Sequence, residues 1–583
     1  MPQNEANASG TGSLRQQLLA AQFESPNRSN IYFVPVNKIQ SLVNEQTVAR
    51  ELRKASSHMR NDPSLCNQHT EAICSHSKRI FAVLIRSGTV SEDTLSIVGE
   101  QVTDGDLPFC RGYSADSESY VLCGNTHEHC RSAEHLSCGI KAVSKLAQEE
   151  IAELDRLQWW VQAPEFLREA DEIPHLELSD NIVMPFTRDF RKENLRTGGY
   201  SEVWSVRIHP AHQNLLQSNN DLVRYPIQKT FADVKKAQGP LVAVKRLMSG
   251  KDTDFKMETD FLADLTKRKH PHLVRLLATY RLQGKYHLMF PYARANLRQH
   301  WYLISLPYWN RPTAIWFLCQ INGLVSALNA IHNFNTGKRP ESQNVQTAAT
   351  RATGYQALQI KVQKEKYGRH GDLKPENILW FSQRDSADPG GILQIADFGL
   401  GRFHGMESRS RQDPAMINGS PTYTPPEIFL RQLVSRAYDI WSFGCIFLEF
   451  ITWLLEGSSG LEKFNKMREL KAVDKVVDDV YYTLSYPGND TDQVPDRADV
   501  RQGVIEWIGC LRKSPRHSEM SVEFLNLIER RMVLVDSKER IGAESLASEV
   551  NRMLEKGERD LQYLLGDNPA VIDAHPGIKE PKE

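Results

Sequence analysis

Six consecutive residues, Asp372-Leu-Lys374-Pro-Glu-Asn377, place an acid able to orient a hydroxyl, a cation and a metal-binding amide almost side by side. The stretch opens as Tyr367-Gly-Arg-His-Gly371, and twenty residues beyond Asn377 a second carboxylate, Asp397, stands in Ala396-Asp397-Phe398-Gly399. Far upstream an ammonium, Lys245, closes the strand-like run Val242-Ala243-Val244. Each piece is a weak signal alone, but their order is not. Residues so widely separated serve one ligand only in a fold that joins a strand-borne lysine to a loop-borne set of carboxylates and amide.

The surrounding pattern fits that demand. At 583 residues the chain exceeds what one core supports, and two or more domains are expected. Residues 1–28 are rich in Asn, Gln, Ser and Ala and read as a disordered start with no secretory signal. Residues 29–178 carry apolar residues at helical spacing and read as a mainly helical region whose partner is unknown. A boundary is expected between residues 175 and 190, where Thr187 to Arg207 turns to short β-like runs around a glycine pair. Asn310 to His332 has the spacing of a long helix. Strands first and helices afterwards imply an α+β body with a small sheet-rich lobe and a larger helical lobe.

Two polar inserts, about residues 209–238 and 333–365, read as surface loops, and 551–583 reads as a tail. The most apolar stretch, Ile440 to Leu455, is too short to span a bilayer and reads as a buried core helix. A net charge of -1 supplies no basic field for nucleic acid. Nine cysteines at irregular spacing argue for a reducing compartment, cytosol or nucleus. Cys110, Cys123, His127, His129, Cys130, His135 and Cys138 crowd one stretch, but they match no paired zinc-ligand spacing, and ordinary loop and core roles are expected.

Phosphoryl transfer asks mostly for positioning and charge neutralisation, which is what carboxylates, amides and cations supply. In type, order and spacing the motifs resemble the eukaryotic protein kinases over residues 190–550. The resemblance implies a bilobal kinase fold, ATP and Mg2+ as cofactors, and a protein Ser/Thr hydroxyl as acceptor, because Leu-Lys-Pro-Glu-Asn after Asp372 looks like the serine/threonine branch. It further implies Asp372 as catalytic base, Lys374 as the cation on the transferred phosphate, and Asn377 and Asp397 as magnesium ligands. Lys245 would hold phosphates and pair with Glu258, with Asp260 as the other choice. Gly198, Val203 and Ala243 would line the nucleotide, and Pro291, Tyr292 and Ala293 would form the adenine-contacting hinge behind Phe290. Glu427 would pair with Arg540 in the packed interior, and Asp439 would begin the helix that anchors the catalytic loop.

The runs Tyr286-His287-Leu288-Met289-Phe290-Pro291-Tyr292-Ala293 and Arg402-Phe403-His404, together with Trp159-Trp160, resemble a group of filamentous-fungal protein kinases with a helical amino-terminal region. Three departures stand out. The glycine-rich loop keeps only its middle glycine, Gly198, with Arg196 and Ser201 at the outer positions. Gly371 replaces the usual arginine before Asp372, and Pro425 replaces the usual alanine before Pro426-Glu427. These departures motivate an alternative, a pseudokinase or scaffold that binds nucleotide or partners without efficient turnover.

Overall fold

The computed structural model describes residues 12–567 except 27, 89, 92–94, 96–97, 99–101, 114–119, 124–146, 170–171, 198–200, 217–238, 334–367, 382–389, 398–420, 472–476 and 490–493. They form two units, one built from 1–220, 227–250 and 276–292, the other mainly from 251–275 and 293 onward. The Cys/His-rich stretch falls largely outside the described residues. Of it, the described backbone includes the antiparallel pair Cys110–Tyr113 with Tyr120–Cys123.

The first unit opens with short helices whose starts are written in the sequence. Asn44 accepts from the Gln46 and Thr47 amides to cap Glu45–Ala55, and Asp62 caps Pro63–His76, with proline in the first turn where its missing N–H costs nothing. Their apolar faces meet in a core of Leu18, Val48, Leu52, Ile73, Phe81, Leu84 and Leu154. The expected disordered start is overturned in part: Leu14–Ala20 is a helix, because Leu14 and Leu18 fall one turn apart and bury completely in this core.

The sheet of this unit runs in the order His175–Glu177, Ala278–Leu282, Lys285–Pro291, Leu241–Leu247, Ser201–Ile208, Phe186–Asp189, with Arg196–Thr197 also on Ser201–Ile208. Only the first pairing is parallel; the others are antiparallel. Alternation divides the residues of the central strands between two faces. Trp204, Val206, Val242, Val244 and Met289 point into a core shared with Phe166 and Leu215. Ala243 and Lys245 point to the other face, with Val203 opposite Lys245 and Phe290 opposite Ala243.

The helical region and the sheet are joined through His212, which is 1% exposed. The Val36 amide donates to its Nε2 at 3.1 Å, so Nδ1 carries the proton and donates to the Pro164 carbonyl at 3.1 Å. Burial pushes this imidazole down to about 4. Residues 209–216 were expected to open a surface loop. Instead His209, His212, Gln213 and Leu215 are buried, because the two ring nitrogens satisfy backbone groups the helical region would otherwise leave unpaired. The remainder of that insert lies outside the described residues.

In the second unit a small sheet of Ala295–Asn296, Ile378–Phe381 and Ile392–Ile395 accompanies a set of helices. Asn310 caps Arg311–His332 through the Thr313 amide. Ala437–Arg468 contains the apolar run expected as a buried core helix, and it is buried throughout that run. It breaks at Gly457, whose φ of +68° and the Ser305 carbonyl 2.3 Å from where a Cβ would sit leave room for glycine alone. Arg311–His332 and Ala437–Arg468 are long and apolar enough to cross a bilayer, and both pack inside this unit. The expected tail from 551 is helical through Leu565: Ala543–Arg559 and Leu561–Leu565 bury Met553, Tyr563 and Leu564.

Candidate active site

The loop before Ile378–Phe381 is held from below by one carboxylate. Asp439, fully buried in the first turn of Ala437–Arg468, accepts from the His370 amide at 2.9 Å and the Gly371 amide at 2.8 Å. His332, the last residue of Arg311–His332, adds its Nε2 at 2.9 Å. Burial alone would raise the Asp439 carboxyl, but the bond from His332, its charge and the loop amides outweigh it and hold the group below the usual carboxylate range. Gly371 has φ +75°, a left-handed conformation that glycine adopts without penalty.

His370 is buried and turned inward. The Asp372 amide donates to its Nδ1 at 3.3 Å, which leaves Nε2 to donate to the Ala396 carbonyl at 3.0 Å. The ring thus ties Asp372 to the strand end that carries Asp397. Sequence reasoning named neither His332 nor His370 as part of the site. The available signal was an imidazole two residues before the candidate base and another at the end of a long apolar helix.

On this support the expected residues of the loop converge. Lys374 Nζ lies 2.8 Å from Asp372 Oδ2, and Asn377 Nδ2 donates to Asp372 Oδ2 at 3.0 Å and to its carbonyl at 2.8 Å. Because Nδ2 is spent on Asp372, the oxygen Oδ1 is what Asn377 offers a cation. The Ala396 amide donates to the Asn377 carbonyl at 2.8 Å, fixing the backbone that leads into Asp397. Asp397 is exposed and has φ +61°. An amide oxygen and a carboxylate form a hard-oxygen donor set of the kind magnesium takes. When bound, that ion and ATP would supply phosphate-charge neutralisation and the transferable group.

Of the other candidates, Val203, Ala243, Lys245, Pro291 and Tyr292 belong to the sheet unit, and Glu258 and Ala293 to the second unit. Lys245 is 8% exposed in the strand Leu241–Leu247, directly opposite Val203 on one neighbour and Leu288 on the other. Pro291 ends its strand buried, and the chain passes from one unit to the other between Tyr292 and Ala293. Gly198 lies outside the described residues between the paired strands Arg196–Thr197 and Ser201–Ile208. Glu258 falls on the helix Asp252–Lys267, but its side chain lies outside the described residues. Glu427 and Arg540 do pair: both side chains are fully buried and joined by two 2.8 Å bonds, with Arg540 Nε on the Leu534 carbonyl at 2.7 Å.

Comparison with known proteins agrees with this geometry. Residues 365–550 match the family model described as "Protein kinase domain". Serine/threonine-protein kinase ATG1c of Arabidopsis thaliana is 24% identical over 354 residues, covering 58% of this chain and 40% of that protein. Serine/threonine-protein kinase ATG1a of the same plant is 29% identical over 171 residues, 29% of this chain and 24% of the relative. Cyclin-dependent kinase 11 of Dictyostelium discoideum is 38% identical over 106 residues, 17% of this chain and 26% of the relative. The matches thus span less than half the length of each relative. With an α+β fold, a loop of this construction and these homologues, the chain carries a protein kinase domain.

Proposed function

We propose that this chain is an active serine/threonine kinase that transfers the terminal phosphoryl group of ATP to protein hydroxyls. The observation that carries the reading is the convergence of Lys374 and Asn377 on the Asp372 carboxylate. Asp372 orients the acceptor hydroxyl and accepts its proton at a carboxylate oxygen. Lys374 offers its ammonium to the transferred phosphate, and Asn377 Oδ1 and the Asp397 carboxylate offer oxygens to magnesium. Lys245, with Val203 and Ala243 on the same sheet face, Gly198, Glu258 and the Pro291 to Ala293 segment complete the nucleotide set. The resemblance to the filamentous-fungal group bears on the helical amino-terminal region, for which it supplies a precedent.

A pseudokinase would keep much of this geometry, with Arg196 and Ser201 beside Gly198 as its motive. Purified full chain, magnesium, radiolabelled ATP and a Ser/Thr peptide library separate the readings. Asp372→Asn keeps the shape of the side chain and removes the base, and a loss of about two to four powers of ten in kcat is expected. Wild type that transfers no label, or an Asp372→Asn variant as fast as wild type, overturns the assignment.

A further inference from the structure

Away from the loop, the larger unit buries a second charged cluster. Glu449, on Ala437–Arg468 and 1% exposed, accepts at Oε1 from Arg468 Nη2 at 3.2 Å and the Tyr481 hydroxyl at 3.3 Å. Its Oε2 accepts from the Tyr423 hydroxyl at 2.8 Å and faces Arg298 Nη1 at 3.3 Å. Arg298 in turn donates through Nε to Glu376 of the catalytic loop at 3.1 Å and through Nη2 to the Tyr423 hydroxyl.

Arg468 ends the long helix and is 1% exposed, an unusual place for a guanidinium. It lies between two rings, 4.4 Å from the centre of Phe464 and 4.3 Å from that of Tyr481. Besides Glu449, it donates through Nη1 to the Asp479 carbonyl at 3.3 Å and through Nη2 to Asn465. The Asp479 carboxylate accepts the Thr422 hydroxyl at 2.6 Å. Thr422 and Tyr423 are therefore each tied, by their own side chains, to a group that Arg468 holds.

These two residues lie beside the catalytic loop, since Tyr423 and Glu376 share the guanidinium of Arg298. The turn they form therefore borders the loop that carries Asp372, to which a peptide would present its hydroxyl. The side-chain amide of Asn377 is turned to Asp372 instead. We propose that Arg468 is a positioning residue for the protein acceptor: by holding Glu449 and the turn at Asp479, it fixes the Thr422–Tyr423 segment on which the acceptor rests. This rests on the kinase reading above. Arg468 suits the test better than Arg298 because Arg298 also touches the catalytic loop, so its loss would disturb chemistry and acceptor together.

The test uses the full chain as wild type, Arg468→Met, Arg468→Lys and Thr422→Val, with a serine peptide selected on wild type. The measurements are kcat, KM for peptide and KM for MgATP. Arg468→Met is expected to raise peptide KM ten-fold or more and leave MgATP KM within about two-fold. Arg468→Lys, which keeps a cation beside Glu449, recovers most of the loss. Thr422→Val, which cuts one tether and keeps the packing volume, shows the same one-sided change at smaller size. An unchanged peptide KM, or peptide and MgATP KM rising together, overturns the proposal while leaving the kinase reading intact. If Arg468→Met fails to fold, Thr422→Val decides by the same criterion. Wild type without transfer to any peptide removes both readings.

Discussion

His300 gives the sharpest handle on the stability of the larger unit. The ring is fully buried and neither of its nitrogens has a partner among the described residues. Three indoles surround it: Trp380 at 4.4 Å, Trp453 at 5.4 Å and Trp316 at 5.6 Å between ring centres. Each indole N–H is turned away from it, onto the Gly390, Ile304 and Gly391 carbonyls respectively. Burial, with the nearby Arg294 charge adding to it, pushes the imidazole from 6.5 down to about 3. The folded pKa is depressed, so the unfolded chain binds a proton first as pH falls. Stability is retained above pH 6.5 and is lost as pH drops towards 3. Between pH 7 and pH 5 this one group removes about 2 kcal/mol. Replacing it by His300→Phe adds an unknown but pH-independent packing change. The informative quantity is therefore the difference between variant and wild type at the two pH values. Urea unfolding followed by tryptophan fluorescence should show the variant gaining about 2 kcal/mol relative to wild type on going from pH 7 to pH 5. A difference that stays constant across that range would refute the reasoning, because it would mean that the ring is protonated as readily in the folded chain as in the unfolded one.

Breaking the Glu427–Arg540 pair from one side, with Glu427→Gln or Arg540→Met, should cost about 3–5 kcal/mol by leaving a buried charge unpaired, whereas a double apolar replacement should recover much of it; thermal unfolding of the three variants checks this. Gly371→Ala places a side chain at φ +75° and should destabilise by about 1–2 kcal/mol. A fall in kcat beyond that of a neighbouring surface alanine would show that the strain reaches Asp372. His212→Phe removes both ring bonds to Val36 and Pro164 and should speed proteolysis of the helical region, read by limited trypsin digestion; unchanged protection would mean that the junction rests on other contacts.

The loop from Asp372 to Asn377 was legible because its partners lie within a few residues of one another, so sequence order is nearly spatial order. Glu427 and Arg540 were legible only through the family resemblance, since nothing local in either segment points to the other. The cluster around Glu449 was not legible at all. Arg298, Tyr423, Glu449, Arg468 and Asp479 come from five separate places in the chain, and none of them points to the others, even though Glu449 stands in the apolar run read as a buried helix. The same blindness explains residues 209–216 and the helix Leu14–Ala20. Histidines and glutamines in a polar stretch suggest solvent unless one knows that backbone groups elsewhere lack partners. A helix of about two turns such as Leu14–Ala20 shows too little periodicity to be distinguished from a flexible end.

The grip of Asp439 on the catalytic loop also has a history in time. His370 and Gly371 leave the ribosome 69 and 68 residues ahead of the carboxylate that accepts their amides. At roughly 5–20 residues per second, the loop must wait on the order of several seconds before its anchor exists. Until then the two amides face water, and the left-handed turn at Gly371 has nothing to hold it. The geometry of this candidate loop is thus assembled late in synthesis, and a nascent chain halted before the long helix emerges would carry every residue of the loop without the carboxylate that holds it.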